Sequence, residues 1–375
     1  MNRRWMRALA ALIMGFCMFF MAMTGRAEPL LSLPASAMAL IECESGRLLE
    51  AMNEDIMLPM ASTTKIMTAL VVLESCEPDE TVEVAKEAVG TEGSSIYLEE
   101  GEQMSVIDLL YGLMLASGND AAIALAIHVS GSVEAFVDSM NLRAEKMGLT
   151  STHFVTPNGL HDDLHLTTAR ELCLITREAL KNETFRTIVS TKYHTAQSGA
   201  KTRTFKNKNS LLWDYEGAFG VKTGYTMAAG RCLVFGAERD GMTVVGALLN
   251  CRPMFETAAE LLDRAFSDYE KQTVVRPGDP ITRVFIENSA ESILEVCAKG
   301  SIIAVMQKAE QHSFRTEALL YEGLSAPVMR GEVVGELCVW DGDVLVGSTE
   351  LIAANDIRKK DLRYWLEKLI CRFAA

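Results

Sequence analysis

Arg276-Pro277-Gly278-Asp279-Pro280 ends every periodic pattern before it, and the stretches on its two sides obey different rules. Two prolines without backbone donors, flanking a glycine and an aspartate, fit neither a helix interior nor a central strand, so the segment predicts a domain boundary. Upstream, Ala37–Ile41 and Arg47–Ala51 flank Glu44-Ser45-Gly46 as the arms of a hairpin would. Helical spacing then runs from Ser62 through Ile66, Met67, Leu70, Val71 and Leu73, and again from Ser105 to Met147 with Gly118 and Gly131 as interruptions. Gly220–Thr226, Arg231–Ala237 and Thr243–Asn250 read as three successive strands, the last two joined by an Asp240-Gly241 turn. An amphipathic helix follows, carried by Phe255, Ala258, Leu261, Leu262, Ala265 and Phe266. Strands at both ends with helices between predict an α+β unit whose early hairpin joins the late meander in one antiparallel sheet. Downstream, runs of strand length (Ile281–Ile286, Ile293–Ala298, Ile302–Met306, Val333–Trp340, Val344–Val346) predict a small all-β domain. The expected division is 1–27, 28–272, 273–354 and 355–375.

The two end segments are of other kinds. Arg3, Arg4 and Arg7 precede an apolar run from Ala8 to Met23, and Gly25-Arg26-Ala27 offers small residues for cleavage. Residues 1–27 therefore read as a secretory signal peptide, and the rest of the chain as exported. Near the C-terminus, Leu362, Trp365, Leu366, Leu369, Ile370 and Phe373 recur at helical spacing. Arg358, Lys359, Lys360, Arg363, Lys368 and Arg372, against only three acids, fill the other face. A basic helix with a Trp on its apolar side suits a membrane interface.

Of the 375 residues, 49% are hydrophobic and 23% charged, which supplies large cores and excludes a disordered chain. A net charge of −14, or −18 without residues 1–27, argues against nucleic acid as a partner. Cys43, Cys76, Cys173, Cys232, Cys251, Cys297, Cys338 and Cys371 are scattered through mostly apolar runs, with no CxxC and no metal-ligand spacing. They read as thiols.

Three short motifs carry chemistry. Ser62-Thr63-Thr64-Lys65 is SxxK, Ser117-Gly118-Asn119 is SxN, and Lys222-Thr223-Gly224 is KTG. If Ser62 opens a helix, residues i and i+3 share a face and the Lys65 amine lies one turn from the Ser62 hydroxyl. A serine hydroxyl needs a base to take its proton, and lysine is a base only when burial or another cation lowers its pKa. A buried helix supplies the first condition and Lys222 the second. KTG on a strand offers a Lys and a Thr for an anionic substrate, and a Gly where backbone must approach closely. Each word alone is weak, since Ser198–Lys201 repeats SxxK and Ser139–Asn141 repeats SxN. The ordered set is specific: SxxK opening an apolar helix, SxN after a second helix, KTG on a late strand.

The longer words Pro59-Met60-Ala61-Ser62-Thr63-Thr64-Lys65-Ile66-Met67-Thr68-Ala69-Leu70, Ala116-Ser117-Gly118-Asn119-Asp120-Ala121-Ala122 and Gly220-Val221-Lys222-Thr223-Gly224-Tyr225-Thr226 are more particular still. They resemble the low-molecular-mass penicillin-binding proteins that are serine-type D-alanyl-D-alanine carboxypeptidases, which share the SxxK and KTG words with class A β-lactamases. The likeness extends over essentially the whole mature chain. It implies a transpeptidase/β-lactamase-like α+β domain, a small β-rich domain, and a C-terminal amphipathic helix on the outer face of the cytoplasmic membrane. It also implies roles: Ser62 as acyl-ester nucleophile, Lys65 as its base, and Ser117 as a proton relay joined to Lys222. Asn119 would hold the peptide amide of the substrate, Lys222 and Thr223 would receive its terminal carboxylate, and Gly224 completes the KTG word. The backbone N–H groups of Ser62 and Tyr225 would form the oxyanion hole. The implied substrate is the peptidoglycan stem pentapeptide, with β-lactams as covalent inhibitors and no cofactor or metal.

Tyr225 replaces a His found after KTG in some members. Many relatives carry an Arg after the last strand that helps bind the carboxylate, and the sequence offers Arg252 in Asn250-Cys251-Arg252-Pro253-Met254 without assigning it that role. His161-Asp162-Asp163-Leu164-His165 contains metal-ligand types but reads as a polar loop, and Lys201, Arg203, Lys206 and Lys208 read as a solvated run. Two rival functions remain. A class A β-lactamase needs a Glu for its deacylating water, which Glu171-Leu172-Cys173-Leu174-Ile175 only approaches. A non-catalytic penicillin or wall-peptide sensor would acylate once.

Overall fold

A computed structural model describes residues 34–287 and 289–373. The expected signal peptide, residues 1–27, lies outside them. The chain is α+β. Strands β1 (Ala37–Glu42) and β2 (Leu48–Met52) form the early hairpin, and β3 (Ala218–Thr226), β4 (Gly230–Arg239) and β5 (Met242–Leu249) form the late meander. They join in one antiparallel sheet of order β2-β1-β5-β4-β3. Ala37 pairs with Leu249 and Glu42 with Val244 across the junction, and Asp240-Gly241 makes the β4–β5 turn with both residues at positive φ.

β1 has no polar alternation, and every one of its residues is buried. A short continuous apolar run is what a strand covered on both faces requires. Helix α5 (Ala169–Ala179) packs on β1 and β5, and α8 (Met254–Asp268) packs on β4 and β5. Between the sheet strands lie α1 (Lys65–Ser75), α2 (Val106–Tyr111), α3 (Asn119–Ser130), α4 (Val133–Lys146) and α6 (Glu183–Ser190), with α7 (Leu211–Asp214) a single turn before β3. The first eight residues of α1 are all buried, because α3, α4 and α5 surround it. The expected helical stretch from Ser105 to Met147 is cut where expected, near Gly118 and at Gly131, and Ser105 and Ser132 cap the segments that follow them.

The β-rich part begins at β6 (Tyr269–Val275), directly after α8 and upstream of the 272/273 boundary the sequence suggested. β6 pairs with β9 (Ile302–Gln307). β7 (Pro280–Phe285), β8 (Ile293–Ala298), β10 (Phe314–Leu320), β11 (Val333–Asp341) and β12 (Val344–Ala353) form a second antiparallel sheet of order β7-β8-β12-β11-β10. Its core contains Leu294, Val296, Leu337, Val339 and Leu351. The Tyr269 hydroxyl donates to the Leu49 carbonyl at 2.8 Å, and Arg47 donates to the Val305 carbonyl, so both bonds join the hairpin to β6 and β9.

Residues Ile357 and Lys359 bridge to Val328 and Ser289, so the chain leaves the β part before helix α9 (Leu362–Phe373) starts. Leu362, Trp365, Leu366, Leu369 and Ile370 are all exposed. The Phe373 side chain lies outside the described residues. No single described helix is long and apolar enough to cross a membrane. Cys43, Cys76, Cys173, Cys232, Cys251, Cys297 and Cys338 are free thiols, and the Cys371 side chain lies outside the described residues.

Candidate active site

Ser62 sits in a 3-10 turn, Ala61–Thr64, that runs straight into α1. The turn is held from both sides. Ala61 has φ +49, a left-handed value that costs a non-glycine residue strain. The Thr64 hydroxyl donates to the Ala61 carbonyl at 2.8 Å and lies 2.7 Å from His165 Nε2. Gly159, at φ +84, abuts the same carbonyl, and a Cβ there would overlap it.

Lys65 is fully buried. Its Nζ lies 3.1 Å from Ser62 Oγ, 2.7 Å from Asn119 Oδ1 and 2.5 Å from the Asn158 carbonyl oxygen. The two amide oxygens are acceptors only, so each fixes one N–H of the amine. A neutral amine then has its lone pair left for the third direction, where the Ser62 hydroxyl stands. Burial pushes the Lys65 pKa well below the ordinary lysine value, and the charges of Lys222 and Lys208 push it further, with Asp120 opposing. The protonation state that makes Lys65 a base is favoured by its surroundings.

The SxN word lies at a break between helices. After α2 a π-helical turn, Gly112–Ala116, ends at Ser117 in the left-handed conformation (φ +65), and Asn119 starts α3. Asn119 is clamped: its N–H donates to the Ser94 carbonyl at 2.7 Å and its Nδ2 to the Glu92 carbonyl at 2.5 Å. Asp120 secures the loop that supplies these carbonyls, accepting from the N–H groups of Ile96 and Leu98 and from the Ser95 hydroxyl.

KTG lies on β3, an edge strand of the sheet. A Cβ on Gly224 would stand 3.1 Å from the Ser62 nitrogen, so the missing side chain lets β3 approach the nucleophile turn. Lys222 is buried, which lowers its pKa to about 7 together with the charge of Lys208. A cleft of about 320 Å³ is lined by Ser62, Ser117, Thr223, Gly224, Tyr225 and Arg231, with Ser94, Lys208, Met254 and Phe255 at its margins. A larger cavity of about 550 Å³, lined by Arg239, Asp263, Phe266 and Lys271, holds none of the motif residues.

Comparison with known proteins assigns the chain to a family. The model of the family described as D-alanyl-D-alanine carboxypeptidase matches residues 23–252. The chain belongs to the D-alanyl-D-alanine carboxypeptidase family. This carboxypeptidase-family chain also matches, over residues 269–359, the model described as penicillin-binding protein 5, C-terminal domain. It is 31% identical to the D-alanyl-D-alanine carboxypeptidase DacF of Bacillus subtilis, over 94% of this chain and 95% of that one. It is 45% identical to the D-alanyl-D-alanine carboxypeptidase of a Streptomyces species, over 50% of this chain and 71% of that one. Penicillin-binding protein 5 of Haemophilus influenzae is similar in structure, with a TM-score of 0.76 at 28% identity, covering 89% of this chain and 100% of that one.

Within this member of the carboxypeptidase family, the structure brings Ser62, Lys65, Ser117, Asn119, Thr223, Gly224 and Tyr225 to one cleft or its wall. It differs from the sequence expectation at one point, and at another it fills a place the sequence left open. No hydrogen bond joins Ser117 to Lys222; the Lys222 ammonium donates instead to the Thr223 carbonyl at 3.0 Å. Arg252 does not line the cleft, and Arg231 does. The decoy words go elsewhere: Ser198 Oγ donates to the Gln103 carbonyl and Ser139 Oγ to the Ala135 carbonyl. Of the basic run, Lys201 and Arg203 pair with Glu99 and Glu102, Lys206 lies over Trp213, and only Lys208 reaches the site, 3.1 Å from Ser94 Oγ.

His165 is a strut. Its Nδ1 accepts from Val155 N–H at 2.9 Å while Nε2 faces Thr64, and burial lowers its pKa to about 4. Glu171 accepts from the Ser151 N–H at 3.0 Å and the Thr152 hydroxyl at 2.5 Å, and its own N–H is capped by Thr168. Asn158, Gly159 and Arg231 escaped the reading of the sequence, while Asp120 entered only as a letter of the longer word around SGN and Lys208 only as part of a basic run. Nothing in their local spacing marks them, since each gains its place from contacts far along the chain.

Proposed function

We propose that this chain removes the terminal D-alanine from the peptidoglycan stem pentapeptide through an acyl-enzyme on Ser62, and that β-lactams acylate the same serine. The observation that carries this reading is the bonding of Lys65 Nζ, with two amide acceptors and the Ser62 hydroxyl as its three neighbours. Lys65 takes the Ser62 proton as Oγ attacks the carbonyl carbon of the penultimate D-alanine. The developing oxyanion is received by the N–H groups of Ser62 and Tyr225, donors of a kind worth about 10²–10³ in rate. The C–N bond then breaks, and a proton passed through Ser117 goes to the departing amine. Water attacks the ester, giving its proton to Lys65, and the serine is regenerated. Asn119 Nδ2 keeps one N–H for the substrate amide while the other holds Glu92, and Thr223 receives the terminal carboxylate, with Lys222 buried behind the strand contributing charge and no direct contact.

The β-lactamase alternative asks for a carboxylate free to activate water, and Glu171 is committed to Ser151 and Thr152. Steady release of D-alanine from diacetyl-Lys-D-Ala-D-Ala, lost in Ser62→Ala, tests the proposal. Rapid turnover of benzylpenicillin would favour a lactamase, and a single acylation without D-alanine release would favour a sensor.

The location proposed is extracytoplasmic, after export directed by residues 1–27. There α9 lies on the outer face of the cytoplasmic membrane. The exposure of Leu362, Trp365, Leu366, Leu369 and Ile370 supports it, because a helix docked on the β part would bury that stripe.

A further inference from the structure

We propose that Arg231 is the specificity-determining cation that makes the enzyme prefer peptides ending in a free carboxylate. The inference rests on the carboxypeptidase reading above and assigns one more residue to it. In the β3–β4 ladder Arg231 stands directly opposite Tyr225. Directly paired residues of an antiparallel ladder project from the same face, and so do residues two apart on one strand. Thr223, Tyr225 and Arg231 therefore share a face, and all three line the cleft with Ser62. Lys222 lies on the opposite face of β3 and is buried. A carboxylate brought to the Thr223 hydroxyl thus meets a guanidinium.

The position of Arg231 is defined and its charge is unspent. Its carbonyl accepts from Cys251 N–H at 2.8 Å, and its guanidinium carbon lies 5.7 Å from the centre of the Tyr225 ring. Among the described residues no carboxylate forms an ion pair with it, in a chain with 50 acidic residues. The other cations near the site are less constant, since burial lowers the pKa of Lys65, Lys208 and Lys222 alike. A guanidinium stays charged at every working pH and offers a planar pair of donors that matches a carboxylate. Arg252, the candidate offered by the sequence, is outside the cleft wall.

The test compares two substrates in three full-length enzymes: diacetyl-Lys-D-Ala-D-Ala and the same peptide with a C-terminal amide, with wild type, Arg231→Gln and Arg231→Lys. The expected result is a rise in KM for the free acid of about tenfold to hundredfold in Arg231→Gln, the range of a lost charged hydrogen bond. Release of D-alaninamide from the capped peptide stays unchanged, and Arg231→Lys recovers part of the loss. Equal losses on both peptides, or no loss on either, would overturn the assignment of Arg231 alone. Failure of the unaltered enzyme to release D-alanine would overturn the carboxypeptidase reading, and this inference with it.

Discussion

Replacing Asn119 by Asp puts a carboxylate where Lys65 Nζ now meets an amide oxygen at 2.7 Å. At an effective dielectric of about 20, opposite unit charges at that distance attract by about 6 kcal/mol. A pKa unit corresponds to about 1.4 kcal/mol, so the ammonium form of Lys65 gains roughly four units. Below its pKa a base loses about tenfold in reactive fraction per unit, so acylation of Ser62 near neutral pH falls by up to about 10⁴. The assay is the second-order rate of labelling by fluorescent benzylpenicillin between about pH 6 and about pH 10, with Asn119→Ala as the control. Asn119→Asp should show a rate that climbs about tenfold per pH unit and recovers in alkali. Asn119→Ala also loses its substrate contact, yet should fall by a factor independent of pH. An Asn119→Asp enzyme that labels within tenfold of wild type near neutral pH, on an unshifted profile, would refute the role given to the Lys65 lone pair.

Three other outcomes are expected. Gly159→Ala forces a Cβ against the Ala61 carbonyl at a left-handed φ, a backbone cost of about 1–2 kcal/mol before any overlap; it should lower the melting temperature and slow penicillin labelling at least about tenfold, read by calorimetry and gel fluorescence. His165 has a folded pKa of about 4 against an ordinary 6.5, so the unfolded chain binds the extra proton between those values and stability is lost as pH falls from 6.5 towards 4. The loss is about 3 kcal/mol for this buried group, and urea titrations at several pH values should show it flattened in His165→Gln. Deleting residues 361–375 should abolish sedimentation with anionic lipid vesicles while leaving D-alanine release intact, and vesicle binding that survives the deletion would remove α9 as the anchor.

Much of the site was legible because its words are local. Ser62 and Lys65 are one turn apart, KTG is contiguous, and an apolar helix after a serine is visible in the sequence alone. The sheet was legible for a similar reason: β1 is apolar from Ala37 to Ile41 and the β3–β5 meander carries a recognisable turn. What stayed hidden is set by distant contacts. Asn158 contributes only a carbonyl oxygen, a group every residue has, and is distinguished by Gly159 pressing on Ala61. Arg231 sits where strand spacing alone gives no reason to prefer it over Arg252. Strand β10 was missed because nearly all of its residues are exposed at a sheet edge, so no apolar alternation marks it. β6 was missed because it is largely polar and follows α8 without a break.

The three neighbours of the Lys65 amine come from positions 62, 119 and 158. A strand of polypeptide still threading through an export channel, or one collapsed in the wrong arrangement, holds the same serine and the same lysine but leaves the amine protonated in water. Such a molecule is inert to penicillin. The amount of covalent label taken up by a preparation therefore counts the molecules whose domain has been correctly assembled, and the drug that inactivates the enzyme doubles as a gauge of its folding.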